Sequence, residues 1–302
     1  MAIKENCSVA LVGLLSVLAA LLSRPVAAHS VLDGYWNPSY DEDVARIPGE
    51  DQGDYTGIPV TQAAIGAAQA WDPEIDTVPW LECRPHPSVY GLRGIGMLRI
   101  WEVRDPQTQK QTQINTWLWA WEAQRQIWMD GRAHPPPWAP HTWQGFSAGH
   151  WEGTTLVVHT DMIKRGWTRR NGPPTSDRTT MDERFIRYGD IMTYIRMIVD
   201  PQYLSEPAVT STNYTRISDA DMTTWPCRAV AEVPRNEGAV PMHLPNQTAV
   251  LIEGAIRSHV PIAAWHGGAQ TMRPEYQDYI KTLPPNPPLS VVMKRVQQED
   301  KE

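Results

Sequence analysis

Asp130, Arg132 and His134 fall close together in the run Gln126–Thr160, QIWMDGRAHPPPWAPHTWQGFSAGHWEGTTLVVHT, and are the residues best suited to chemistry. An Asp beside an Arg stays ionised, and an ionised Asp near a His holds the imidazole in one tautomer and raises its basicity. Asp130 and His134 are separated by a tight Asp-Gly turn, so their side chains can meet where a straight strand would part them. On this acid–base reading Asp130, His134 and His141 are catalytic. Asp130 orients His134 and His134 moves a proton. Arg132 and His141 hold a polar group of the substrate, and Trp143 covers its apolar part. The competing reading is structural: Asp130 caps its own turn, Arg132 pairs with it, and His134 is a packed aromatic ring.

The same run holds four of the nine histidines and four of the 14 tryptophans. His134, His141, His150 and His159, even with His86 or His243 added, show neither the helical i,i+4 nor the strand i,i+2 spacing of a common metal site, and no metal is predicted. Ser147 satisfies G-x-S-x-G formally, but a strand pattern follows it where a nucleophile elbow needs strand, turn and helix. No phosphate loop, dinucleotide fingerprint or paired-cysteine redox motif occurs, so no cofactor is expected.

These residues need a rigid frame, and the sequence supplies one. Asp130-Gly131 is a turn dipeptide, and Pro135, Pro136 and Pro137 force an extended path beyond it. From Met97 the pattern has period two, over Met97–Arg104, Gln111–Glu122, Arg125–Met129, Phe146–Trp151, Thr154–Thr160, Thr179–Tyr188, Ile191–Val199 and Val209–Ile217. Asp105-Pro106, Glu152-Gly153 and Gly189-Asp190 mark turns. With a short strand near Trp36 this is about nine strands joined by hairpins, a mainly β chain. It predicts an antiparallel up-and-down β-barrel or curled sheet with helical and loop-rich N- and C-terminal extensions, because closure removes exposed edges. Within it, alternation puts Trp117, Trp119 and Trp121 on one face and Thr116, Leu118 and Ala120 on the other. The indoles either form a stacking platform for a substrate or simply cover the sheet. Pro59–Trp71, Thr248–Ser258 and Pro274–Lys281 read as helices. The expected division is a single domain over 29–302, with an N-terminal wrap (29–96), the β core (97–217) and a C-terminal extension (218–302).

A net charge of -7 over 302 residues leaves no basic stripe for nucleic acid. Lys4, an apolar stretch from Cys7 to Ser23 and Val26-Ala27-Ala28 read as a cleavable secretory signal over 1–28. The mature chain is then periplasmic or secreted, without a membrane anchor. Export would leave Cys83 and Cys227 as the remaining cysteines in an oxidising compartment, where they are expected to pair.

Arg125–Pro135 (RQIWMDGRAHP), followed by Gly149–Val158 (GHWEGTTLVV), resembles a large family of exported bacterial proteins. Its pattern reads R-x-I-W/Y-M-D-G-R-x-H-P and then G-x-W-E-G-D-x-L-V-V, and Thr154 stands here where the pattern has Asp. Cys83-Arg84-Pro85-His86-Pro87 and Asp182-Glu183-Arg184 extend the resemblance over most of the mature chain, which implies an exported single domain and points to no particular reaction. Gly34-Tyr35-Trp36 with the meander is also similar to lipocalin-type barrels, a likeness of fold alone. The function expected is an exported small-molecule enzyme of acid–base type, a hydrolase, lyase or isomerase. It would act on a largely apolar or aromatic substrate in a Trp-lined barrel pocket, with Arg132, Trp143, Trp117, Trp119 and Trp121 binding it. The alternatives are a non-catalytic periplasmic carrier of an apolar or aromatic ligand, and a glycan-binding protein using the Trp face.

Overall fold

The computed structural model describes residues 31–39, 52–70, 86–92, 96–120, 123–169, 171–218, 220, 222–223 and 250–292. Cys83, Cys227, Trp121, His243 and the signal segment lie outside the described residues. The described residues from Leu32 onward group as one compact unit.

The core is a closed barrel of nine strands: β1 (Gly34–Pro38), β2 (Leu98–Arg104), β3 (Gln111–Leu118), β4 (Ala123–Trp128), β5 (Phe146–Glu152), β6 (Thr155–Asp161), β9 (Thr180–Tyr188), β10 (Ile191–Val199) and β11 (Ala208–Ile217). Two short strands, β7 (Gly166–Trp167) and β8 (Pro174–Thr175), pair apart from it. β1 closes the ring by pairing with both β2 and β11. The turns lie where the sequence places them. Asp105 accepts the amides of Gln107 and Thr108 between β2 and β3, and Gly153 and Gly189 take positive φ at the other two hairpins.

The ring departs from a pure meander at one place. Strand directions cannot alternate around a closed ring of nine, so at least one neighbouring pair must be parallel. That pair is β4–β5, where Ile127 lies beside Ser147 and Trp128 beside Ala148, and the other neighbours are antiparallel. Residues 129–145 are therefore not a hairpin. They carry the chain from the end of β4 back to the start of β5. Gly149 sits at this seam because a Cβ there would come within 2.8 Å of Ile127 Cγ2 and Met129 Sδ.

The interior is filled by side chains. Trp36, Leu98, Ile100, Ile114, Ile127, Leu156, Phe185, Tyr194 and Tyr214 point inward and are buried, and the rings of Phe185 and Tyr194 meet at 4.8 Å. Loop 86–92 closes one end: Val89 packs on Ile163, Met181 and Ile198, and buried Arg196 donates to the carbonyls of Val89 (2.6 Å) and Gly91 (3.0 Å). At the end of β10, Asp200 accepts the amides of Ser176 (2.6 Å), Gln202 (2.9 Å) and Tyr203 (3.0 Å), tying two loops to the rim.

Outside the barrel, α1 (Gln62–Gln69) starts at Thr61, whose hydroxyl caps the Ala64 amide. The C-terminal extension contains α2 (Val250–Arg257), α3 (Ile262–Trp265), a 3-10 turn (Gly268–Met272) and α4 (Pro274–Ile280). The first and last of these helices match the expected ones closely.

Candidate functional site

Residues 129–145 run outside the barrel wall. Gly131 takes φ +66° in the expected turn, and the Ala139 amide bonds to the Pro136 carbonyl at 2.8 Å, closing a second turn after the prolines. The returning chain is pinned to the segment after β6: the Thr142 amide donates to Met162 O (3.1 Å), and the Lys164 amide to Thr142 O (2.8 Å). It is also pinned to the 86–92 loop, through Ser88 N to Trp143 O (2.9 Å) and Gln144 Nε2 to His86 O (2.9 Å). The crossover is thus held at several points although most of its side chains face water.

Asp130 belongs to Arg132. The guanidinium donates to its carboxylate through Nε (3.0 Å) and Nη2 (2.6 Å), and the Arg132 amide also donates to Oδ1 (3.2 Å). Those bonds hold the Asp130 carboxyl at about 2, so it stays ionised. The guanidinium also lies 3.3 Å over the Trp128 ring, a cation–π contact at the base of the loop. The capped turn and the Asp–Arg pair of the structural reading are both present.

His134 has another partner, and this corrects the expected relay. Its Nε2 is 2.9 and 2.8 Å from the carboxylate oxygens of Asp161, at the end of β6, while Nδ1 is 2.6 Å from the Pro135 carbonyl. The Phe146 ring meets the imidazole edge at 5.1 Å. A carbonyl and a carboxylate are both acceptors, so the imidazolium, with a proton on each nitrogen, is the form that satisfies both contacts. The Asp161 bond accordingly raises the His134 pKa. His134 bonds to Asp161 and not to Asp130, which Arg132 holds within the turn.

His141 places Nδ1 3.1 Å from the Ile163 carbonyl, leaving Nε2 facing away from that bond. Trp143 is half-buried, with Lys164 Nζ 5.4 Å from its ring centroid. The hydrogen bonds thus link Asp130 to Arg132 and His134 to Asp161, while His141 is held separately against the segment after β6. Trp117 and Trp119 lie on the outer side of the barrel as alternation requires, half-buried, and the Trp119 indole donates to Thr223 O at 2.7 Å. His150 pairs with Glu152 and His159 with Asp182. Among the described residues no three His, Cys, Asp or Glu groups converge to hold a metal ion.

The polar cluster that the sequence reading passed over is inside the barrel. Arg125 on β4 donates to Ser147 Oγ (2.9 Å), to Thr160 Oγ1 (2.5 Å) and to both oxygens of Glu183 on β9, at 2.7 Å for Oε1. Tyr194 on β10 donates to Glu183 at 2.6 Å. Burial, followed by the Glu183 charge, pushes the Tyr194 hydroxyl well above the ordinary phenol range, so it remains a donor. These five residues are all within 5% of complete burial. They tie together β4, β5, β6, β9 and β10, including the parallel seam. Ser147 is consumed in this network, which fits a chance G-x-S-x-G match. A signal for the cluster was present in the sequence. Arg125 alternates with Ile127, and Glu183 with Met181 and Phe185, so each charge has apolar neighbours on its own strand face.

Comparison of the chain with family models, with curated proteins and with solved structures gives no match.

Proposed function

We propose that the protein is an exported binding protein and that the 129–145 crossover recognises an apolar or aromatic group of its ligand through Trp138. The observation that carries this reading is Trp138 itself, which is 83% exposed on a loop stiffened by prolines and held at both ends. An indole kept in water on a rigid support is a pre-organised contact, since little conformational entropy is lost when it stacks. The polar groups of the loop support binding in the same way. Asp130 is neutralised by Arg132, and both nitrogens of His134 are already bonded. The packed barrel interior supports reading the recognition surface on the outside of the wall.

The test is mass spectrometry of small molecules extracted from the exported protein, wild type against Trp138→Ala. Wild type should carry a species that the variant lacks, with melting unchanged because the side chain is exposed. A wild type that carries nothing, or a variant that retains the same species, overturns the reading.

A second, catalytic reading is supported by the His134–Asp161 pair, in which the carboxylate favours the protonated ring, the form able to donate a proton. It predicts that His134→Ala removes turnover by roughly 10²–10⁴-fold with folding intact, in an assay built on whatever molecule the extraction identifies.

A further inference from the structure

The outward face of β1–β4 differs from that of β5, β6 and β9. Leu98, Ile100, Ile114, Leu118 and Ile127 are buried inside, so their strand neighbours face out. Strand register lays those neighbours in rows. Tyr35, Arg99, Trp117 and Gln124 form one. Trp101, Asn115 and Gln126 form the next, and Val103, Gln113 and Trp128 the third. The only formal charge in these rows is Arg99, whose guanidinium lies over the rings of Tyr35 (5.5 Å) and Trp101 (5.0 Å). Gln124 and Gln126 are exposed, and the rings are half-buried.

The outer face of β5, β6 and β9 is the reverse. It carries His150, Glu152, His159, Asp161, Asp182 and Arg184, in the contacts His150–Glu152, His159–Asp182 and Arg184–Glu152, with Asp161 meeting His134. Charges of that kind keep an outer sheet face in water. The β1–β4 face replaces them with indoles and carboxamides.

We infer that the outer face of β1–β4 is a second binding site and that it takes a neutral oligosaccharide. Pyranose rings offer a C–H face to an indole and hydroxyls at the ring edge. A carboxamide carries both donors and an acceptor, as a hydroxyl does, so the exposed Gln124 and Gln126 suit hydroxyls beside the aromatic rings. Other occupants fit less well. An apolar protein surface would bury those amides without partners. A polyanion would find Arg99, already spread over two rings, and Arg132, already paired with Asp130 above Trp128. Tyr35 and Gln124 stand three strands apart in one row, about 14 Å at the usual strand spacing, a span that a short oligosaccharide covers. The inference does not depend on Trp138.

The test is native affinity electrophoresis of the mature protein in gels containing dextran, laminarin or hydroxyethylcellulose, with alginate as the anionic control. The expected result is retardation by at least one neutral glucan and none by alginate. Trp101→Ala should weaken retention by about tenfold, the scale of one lost aromatic contact with its hydrogen bonds. The double change Gln124→Ala with Gln126→Ala alters exposed side chains only and should also weaken it, which keeps the test valid if Trp101→Ala fails to fold. Tyr188→Ala, an exposed aromatic on another hairpin, should leave retention unchanged. Migration unaffected by every neutral glucan, retention by alginate alone, or retention that survives both sets of face variants overturns the inference.

Discussion

Arg125 and Arg132 stand seven positions apart in the sequence, and each pairs with a carboxylate, yet the two pairs lie on opposite sides of the barrel wall. The Arg125 and Glu183 side chains are 4% and 0% exposed, whereas Arg132 and Asp130 are 40% and 28% exposed. Inside, water cannot screen either charge, so each depends on the other and on Ser147, Thr160 and Tyr194. Outside, water solvates both partners whether or not they meet. The same chemistry therefore has two roles. The inner pair fastens the parallel seam that fixes where the crossover begins and ends, and the outer pair shapes the first turn of that crossover.

The comparison predicts a steep ranking of effects. Glu183→Gln should be the most damaging, destabilising by about 3–5 kcal/mol because Arg125 is left as an uncompensated buried charge. Arg125→Met with Glu183→Leu should cost far less than the sum of the single changes, and urea unfolding of the double-mutant cycle measures this. Additive losses would mean that the pair does not act as a unit.

Tyr194→Phe comes next, removing one donor to Glu183 at a cost of about 1–3 kcal/mol. The same denaturation experiment detects it, and a neutral outcome would show that Glu183 is fully satisfied by Arg125 and Thr160.

Asp161→Asn sharpens the outer side of the comparison. The folded pKa of His134 is raised by Asp161, so the stabilisation from this pair is complete below the unfolded value of about 6.5 and is lost as pH rises through the folded value. The pair is largely exposed, so the stability change should be small. The imidazole titration followed by NMR should nevertheless move clearly downward in the variant. An unchanged His134 titration would separate the two residues in solution.

Asp130→Asn should have the smallest effect, with no measurable change in melting. A marked loss of stability would erase the distinction between the two pairs.

Much of the fold was legible in the sequence because it depends on local periodicity. Period-two segments gave the strands of the ring, turn dipeptides gave their hairpins, and Thr116, Leu118 and Ala120 face inward opposite Trp117 and Trp119 as alternation requires. The Asp130–Arg132 pair was also legible, since its partners are two residues apart. The relay from Asp130 to His134 was misread because proximity in sequence does not choose between competing partners. Arg132 took Asp130 within the turn, and Asp161, 27 residues away, took His134.

The sequence by itself determined the strands, the turns and which face of each strand is apolar, because each follows from residue types a few positions apart. Only the tertiary structure decided which strands close the ring and which pair is parallel, since the direction of neighbours around a closed barrel depends on the total number of strands. The meeting of Arg125 with Glu183 across 58 residues was settled the same way. Both residues showed their inward side in the strand pattern, but a charge on an apolar face does not name its partner. Burial supplied the choice, because a charge removed from water must find its opposite within hydrogen-bonding reach.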